Sequence, residues 1–90
     1  MELKVFLGYL AYRYCEEIEN HRLYYVYELQ EEGRERGRIV SITKPKSGYL
    51  ERETMYLICT DLGIDMPEKF KDYQAQMDRI WTSRAPRTDY

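Results

Sequence analysis

Residues 23–44 constrain this chain most. They read Leu-Tyr-Tyr-Val-Tyr-Glu-Leu, then Gln-Glu-Glu-Gly-Arg-Glu-Arg-Gly, then Arg-Ile-Val-Ser-Ile-Thr-Lys. Two runs of β-branched, aromatic and aliphatic residues flank a charged, glycine-bearing centre, which is the composition of a β-hairpin. A two-residue loop at Gly33-Arg34, with glycine first, suits a type II′ turn. That loop pairs Leu29 with Arg38, Tyr27 with Val40, Tyr25 with Ile42 and Leu23 with Lys44. One face then collects Leu23, Tyr25, Tyr27, Leu29, Val40 and Ile42 as a core surface. The other collects Tyr24, Val26, Glu28, Ile39, Ser41 and Thr43. Near the tip, Glu31 faces Arg36. A longer loop, Gly33 to Gly37, is the competing register and matches apolar residues less well. A one-residue slip would scatter the apolar set over both faces, so burial selects against it.

The strand before the hairpin is read from residues 3–16. Their helical spacing (Leu3, Leu7, Leu10, Tyr14, Ile18) competes with strand composition, namely Val5, Phe6 and three tyrosines around Gly8. Periodicity does not settle a short apolar run. Composition and Gly8 favour a strand with a bulge, and Glu16 to His21 then form the turn into the hairpin. The result is a three-stranded antiparallel meander over 1–44.

Beyond Pro45 and Gly48 the pattern becomes helical. Leu50, Thr54, Leu57, Ile58 and Asp61 form one stripe from Tyr49 to Leu62, closed by Gly63 as a C′ residue. A second helix is expected over 66–83. Asp65 and Glu68 resemble a capping box, and Pro67 suits a first turn. Its apolar stripe is Phe70, Tyr73, Met77, Ile80 and Trp81. Residues 84–90 read as a tail. Strands followed by helices predict an α+β domain, with both C-terminal helices packed on one sheet face. The 90 residues make a single small domain.

Composition narrows function mainly by exclusion. A net charge of −2 gives no global basic field for a nucleic-acid backbone. No apolar run approaches the roughly 20 residues that span a bilayer. The N-terminus lacks a signal-peptide pattern, and two cysteines make no disulfide framework. The expectation is a cytoplasmic protein with buried, reduced thiols. One histidine, beside Cys15, Glu16 and Glu17, specifies no closed metal site. Neither Cys15 nor Cys59 has an assured base, and His21 is the only imidazole. Glu16 and Glu17, as strand neighbours, would point to opposite faces. No glycine-rich phosphate loop precedes a helix. No catalytic residue, metal or cofactor is therefore expected.

The unusual feature is ten tyrosines in 90 residues. Tyrosine suits a thin, partly wet core, and it is enriched at contact surfaces. Arg34, Arg36, Arg38, Lys44, Lys46 and Arg52 lie on or beside the hairpin with Tyr24, Tyr25, Tyr27 and Tyr49. Stacking and bidentate pairing there would suit a small anionic nucleotide. The interleaved Glu28, Glu31, Glu32 and Glu35 weaken that field, so polymeric nucleic acid is not expected.

The favoured expectation is a non-enzymatic interaction protein, an inhibitor or adaptor. Small inhibitors of phages or mobile elements share this profile, which is analogy at the level of size and fold. The alternative is an oligomeric module that sequesters a nucleotide. Binding is assigned to Tyr24, Val26, Arg34, Arg36, Arg38, Ile39 and Tyr49. Unpaired sheet edges and an apolar outer face predict a homo-oligomer built from the strand side.

Overall fold

The computed structural model describes residues 1–30 and 38–84. Helix α1 spans Leu3–Tyr12, followed by strands β1 (Cys15–Asn20), β2 (Tyr24–Leu29) and β3 (Ile39–Thr43). Helix α2 covers Arg52–Leu62. A 3₁₀ turn at Glu68–Phe70 leads into α3, Lys71–Arg84. The strands form an antiparallel sheet in the order β1-β2-β3. The class is α+β, with α2 packed on the sheet along β3.

Residues 3–16 correct the expected first strand. Phe6 and Leu10 are fully buried, and Leu3 and Leu7 pack against the same cluster. Positions 3, 6, 7 and 10 form one helical face, so the 3.6-residue period prevails over β composition. Gly8 lies on the opposite, exposed face, where an added Cβ would meet nothing within 4 Å. The glycine marks no bulge.

The strand itself is the segment expected to be a turn. Cys15 pairs with Leu29, Glu16 with Glu28, Glu17 with Tyr27, Glu19 with Val26 and Asn20 with Tyr25. A bulge sits between Glu17 and Glu19, at Ile18. Glutamate has poor strand propensity, but pairing with β2 satisfies the backbone and context overrides propensity. Only Cys15 of this strand is buried.

The hairpin register agrees with the sequence. Tyr25 pairs with Ile42 and Tyr27 with Val40. The Leu29 amide donates to the Arg38 carbonyl (2.8 Å), and the Lys44 amide to the Leu23 carbonyl (2.9 Å). The Gly33-Arg34 loop and the Glu31–Arg36 pair lie outside the described residues. Leu23, expected in the core, is exposed just before β2 begins.

One apolar cluster joins the helices to the inner sheet face. Tyr27, Val40 and Ile42 meet Phe6 and Leu10 of α1, and Met55, Ile58, Cys59 and Leu62 of α2. Ile64 and Met66 complete it from the loop after α2. Gly63 closes α2 at φ 75°. Its amide reaches the Thr60 carbonyl, and the Ile64 amide the Cys59 carbonyl. This is a Schellman ending, which a left-handed glycine permits at little cost.

Helix α3 attaches through α2 and the preceding loop. The Tyr56 hydroxyl donates to Asp78 Oδ1 at 2.6 Å, and the Tyr56 and Tyr73 rings meet edge to face. Gln74 accepts from the Met66 amide (2.8 Å) and donates to Asp65 Oδ1 (3.1 Å). Asp65 is thus engaged by Gln74, and the helical turn starts at Glu68 with Pro67 in the cap position, two residues beyond Asp65, which corrects the capping-box reading. Three of the five residues of the expected stripe reach the core. Phe70, Tyr73 and Met77 pack against the core, but Ile80 and Trp81 are 42% and 53% exposed.

Candidate functional site

Strand alternation divides the sheet into two chemically different faces. The inner face meets the helices. The outer face carries Tyr24, Val26 and Glu28 of β2, and Ile39, Ser41 and Thr43 of β3. From β1, the register adds Glu16 beside Glu28, and Glu19 beside Val26. Ile18, the extra residue of the bulge, also stands opposite Val26. Among the described residues no element packs on this face. Ile39 is 52% and Ile18 43% exposed, while Tyr24 and Val26 are half-buried.

The charges of the sheet are one-sided. Every charged residue within the three strands is a glutamate: Glu16, Glu17, Glu19 and Glu28. Three flanking cations are engaged elsewhere. Arg13 donates to the Tyr9 hydroxyl at 2.9 Å, and that hydroxyl donates to the Asp65 carbonyl. Lys44 donates to Asn20 Oδ1 at 2.7 Å, with its ammonium 4.3 Å from the centre of the Tyr25 ring. Arg38 lays its guanidinium against Gly63, at the C-terminal end of α2, where the helix dipole favours a cation. Arg22 is exposed in the β1–β2 turn, at one end of the sheet. His21, in the same turn, stacks on Tyr24 (centroids 4.3 Å apart) and pairs with Glu19 at 2.6 Å. The outer face therefore carries an oblique apolar stripe, Ile18-Val26-Ile39, in which Val26 stands opposite Ser41 and Ile39 opposite Glu28, with carboxylates beside it and the His21–Tyr24 stack at the Tyr24 end of β2.

The residues proposed from the sequence do not fall on one surface. Tyr24, Val26 and Ile39 share the outer face. Arg38 is on the helix side. Exposed Tyr49 bridges to Glu2 at the start of α1, beside an open groove lined by Lys4, Tyr25 and Ser47. Arg34 and Arg36 lie outside the described residues. Glu16, Ile18, Glu19 and Glu28 were not among the proposed binding residues. The legible signal was Glu-Glu-Ile-Glu with no cation among it, obscured by treating that segment as a turn.

The thiols are buried and unpaired. Burial pushes the Cys59 thiol up to about 12, and burial likewise raises Cys15. Cys15 opens β1 and His21 follows its last residue, so they stand roughly 20 Å apart along an extended strand. No group of three or more metal-ligating His, Cys, Asp or Glu occurs among the described residues. No described helix is long and apolar enough to cross a membrane. In comparisons with known proteins, no family model, curated protein or solved structure matches the chain.

Proposed function

We propose that this chain is a small, non-enzymatic interaction protein, an inhibitor or adaptor of the cytoplasm, that binds another macromolecule through its outer sheet face. The observation that carries the reading is the Ile18-Val26-Ile39 row on a face that no described element covers. Contiguous apolar surface rimmed by polar residues is the kind that interaction sites expose. Tyr24 adds an aromatic ring with a polar tip at the margin, a side chain favoured in interfaces. The nucleotide alternative needs an arginine fork and a stacking ring on one surface. Arg38 and Tyr24 stand on opposite sides of the sheet, so that pair does not support it.

The test is comparative capture from a lysate of the source organism. Wild-type protein and Ile39→Arg are immobilised in parallel, with Leu57→Arg, on exposed α2, as the control. A partner retained by wild type and by Leu57→Arg but lost from Ile39→Arg supports the reading. Equal retention by all three removes the sheet face from it. A nucleotide that raises the melting temperature of the wild-type protein would favour the alternative.

A further inference from the structure

The size and charge of the outer face select among occupants. Three strands at about 4.8 Å spacing and five residues at about 3.4 Å make a face of roughly 250 Å². A stable protein–protein interface takes roughly 800 Å² from each partner. The described part of the face falls short of that area for any partner, a second copy or another protein, so charge decides between them. A helix laid across the strands, along the Ile18-Val26-Ile39 stripe, is about 10–12 Å wide with its side chains and fits within the roughly 17 Å that five strand residues span. Self-association meets an obstacle of charge. All charges on the strands are carboxylates, so a two-fold pairing of this face with itself would set glutamates against glutamates. A cationic occupant would meet complementary charge beside the apolar stripe: Glu16 and Glu28 on one side, and on the other Glu19, whose carboxylate His21 contacts at 2.6 Å.

Resting on the interaction reading above, we infer that the outer face receives one amphipathic helix of a partner protein, with an apolar stripe flanked by lysine or arginine. The stripe lies along Ile18, Val26 and Ile39, covering the sheet on the side opposite α2. The lysines or arginines reach the flanking carboxylates. This replaces the expected strand-side homo-oligomer with a heterologous partner on the same surface.

The probe is a fluorescent helical peptide of about 15 residues, with leucines in one stripe and lysines beside it. A peptide with glutamate in place of every lysine is the control. Anisotropy titrations compare wild type, the triple variant Glu16→Gln/Glu19→Gln/Glu28→Gln, and Ile39→Ser. A second triple variant, Glu51→Gln/Glu53→Gln/Asp61→Asn, removes the same charge from α2. Denaturation midpoints establish that each variant is folded.

The expected result is binding of the lysine peptide, weakened about tenfold or more by the sheet triple and by Ile39→Ser. The α2 triple should stay within about twofold of wild type, and binding should weaken as salt rises from about 50 to about 300 mM. Equal weakening by both triples, or equal binding of the glutamate peptide, would overturn the inference. So would light scattering that shows a wild-type dimer dissociated by Ile39→Arg. A partner captured through Ile39 but indifferent to the sheet triple would leave the interaction reading standing and sink only the cationic helix.

Discussion

Arg38 in the chain entering β3 lies directly over Gly63, the residue that closes α2. A Cβ added at Gly63 would stand 2.5 Å from Arg38 Nη1 and 3.0 Å from Cζ. The contact joins the sheet to the helix end most distant in sequence from it. Gly63→Ala therefore meets two costs: left-handed backbone, of about 1–2 kcal/mol, and displacement of the guanidinium. In an Arg38→Ala background only the first remains. Urea denaturation of the four proteins in a double-mutant cycle should show the smaller cost in that background. Strict additivity would show that the exposed guanidinium moves aside at no measurable cost.

Glu16 and Glu28 oppose one another across β1 and β2 on the outer face. Like charges in that position are destabilising. Replacing Glu28 with Lys converts repulsion to attraction and should raise stability by about 0.2–1 kcal/mol. The gain should shrink in high salt. A lower urea midpoint in Glu28→Lys at low salt would contradict the pairing.

Phe6 and Trp81 should behave oppositely. Phe6 is 0% exposed at the centre of the core, whereas Trp81 is 53% exposed near the end of α3. Phe6→Ala should cost about 3–5 kcal/mol, enough to unfold a domain of this size. Trp81→Ala should cost less than about 1.5 kcal/mol, because most of the burial that sets the larger figure is missing. Circular dichroism on heating distinguishes them. Loss of fold in Trp81→Ala would return that ring to the core.

Alkaline stability should report Cys59. Its thiol titrates near 9 in the unfolded chain but only at about 12 when folded, because burial disfavours the thiolate. Below pH 9 both states keep the proton and stability is indifferent to it. Between 9 and about 12 the unfolded chain releases a proton that the folded chain retains. Stability then falls with rising pH, by at most about 1.4 kcal/mol per unit from this group. Tyr9, Tyr27 and Tyr56, all raised above 10 chiefly by burial, add the same sign at higher pH. Cys59→Ala should flatten the slope between pH 9 and 10. An unchanged slope there would show that the thiol is not buried.

The hairpin shows why some of this structure could be read directly. Its two strands are adjacent in sequence, and one register alone puts Tyr25, Tyr27, Val40 and Ile42 on a single face. Gly63 was equally legible, since a left-handed helix ending is a local requirement. The candidate site was legible in half: Tyr24, Val26 and Ile39 followed from alternation. Their acidic neighbours did not, because they come from a strand that propensity hides.

Local pattern thus determined the β2–β3 pairing, α2 with its glycine stop, and the α+β class. Tertiary structure alone decided that residues 3–12 are helix and 15–20 are strand. The first segment is apolar enough for either form, and only the shared core selects the face made by Leu3, Phe6, Leu7 and Leu10. The second is too acidic to be a strand on its own merits, and is held by backbone pairing with β2 while its carboxylates remain in water. The hairpin register by itself parts Arg38, opposite Leu29, from Tyr24, opposite Thr43. Which of the two faces is covered was decided by tertiary structure, because the helices bury the Leu29 side and no described element packs on the Tyr24 side.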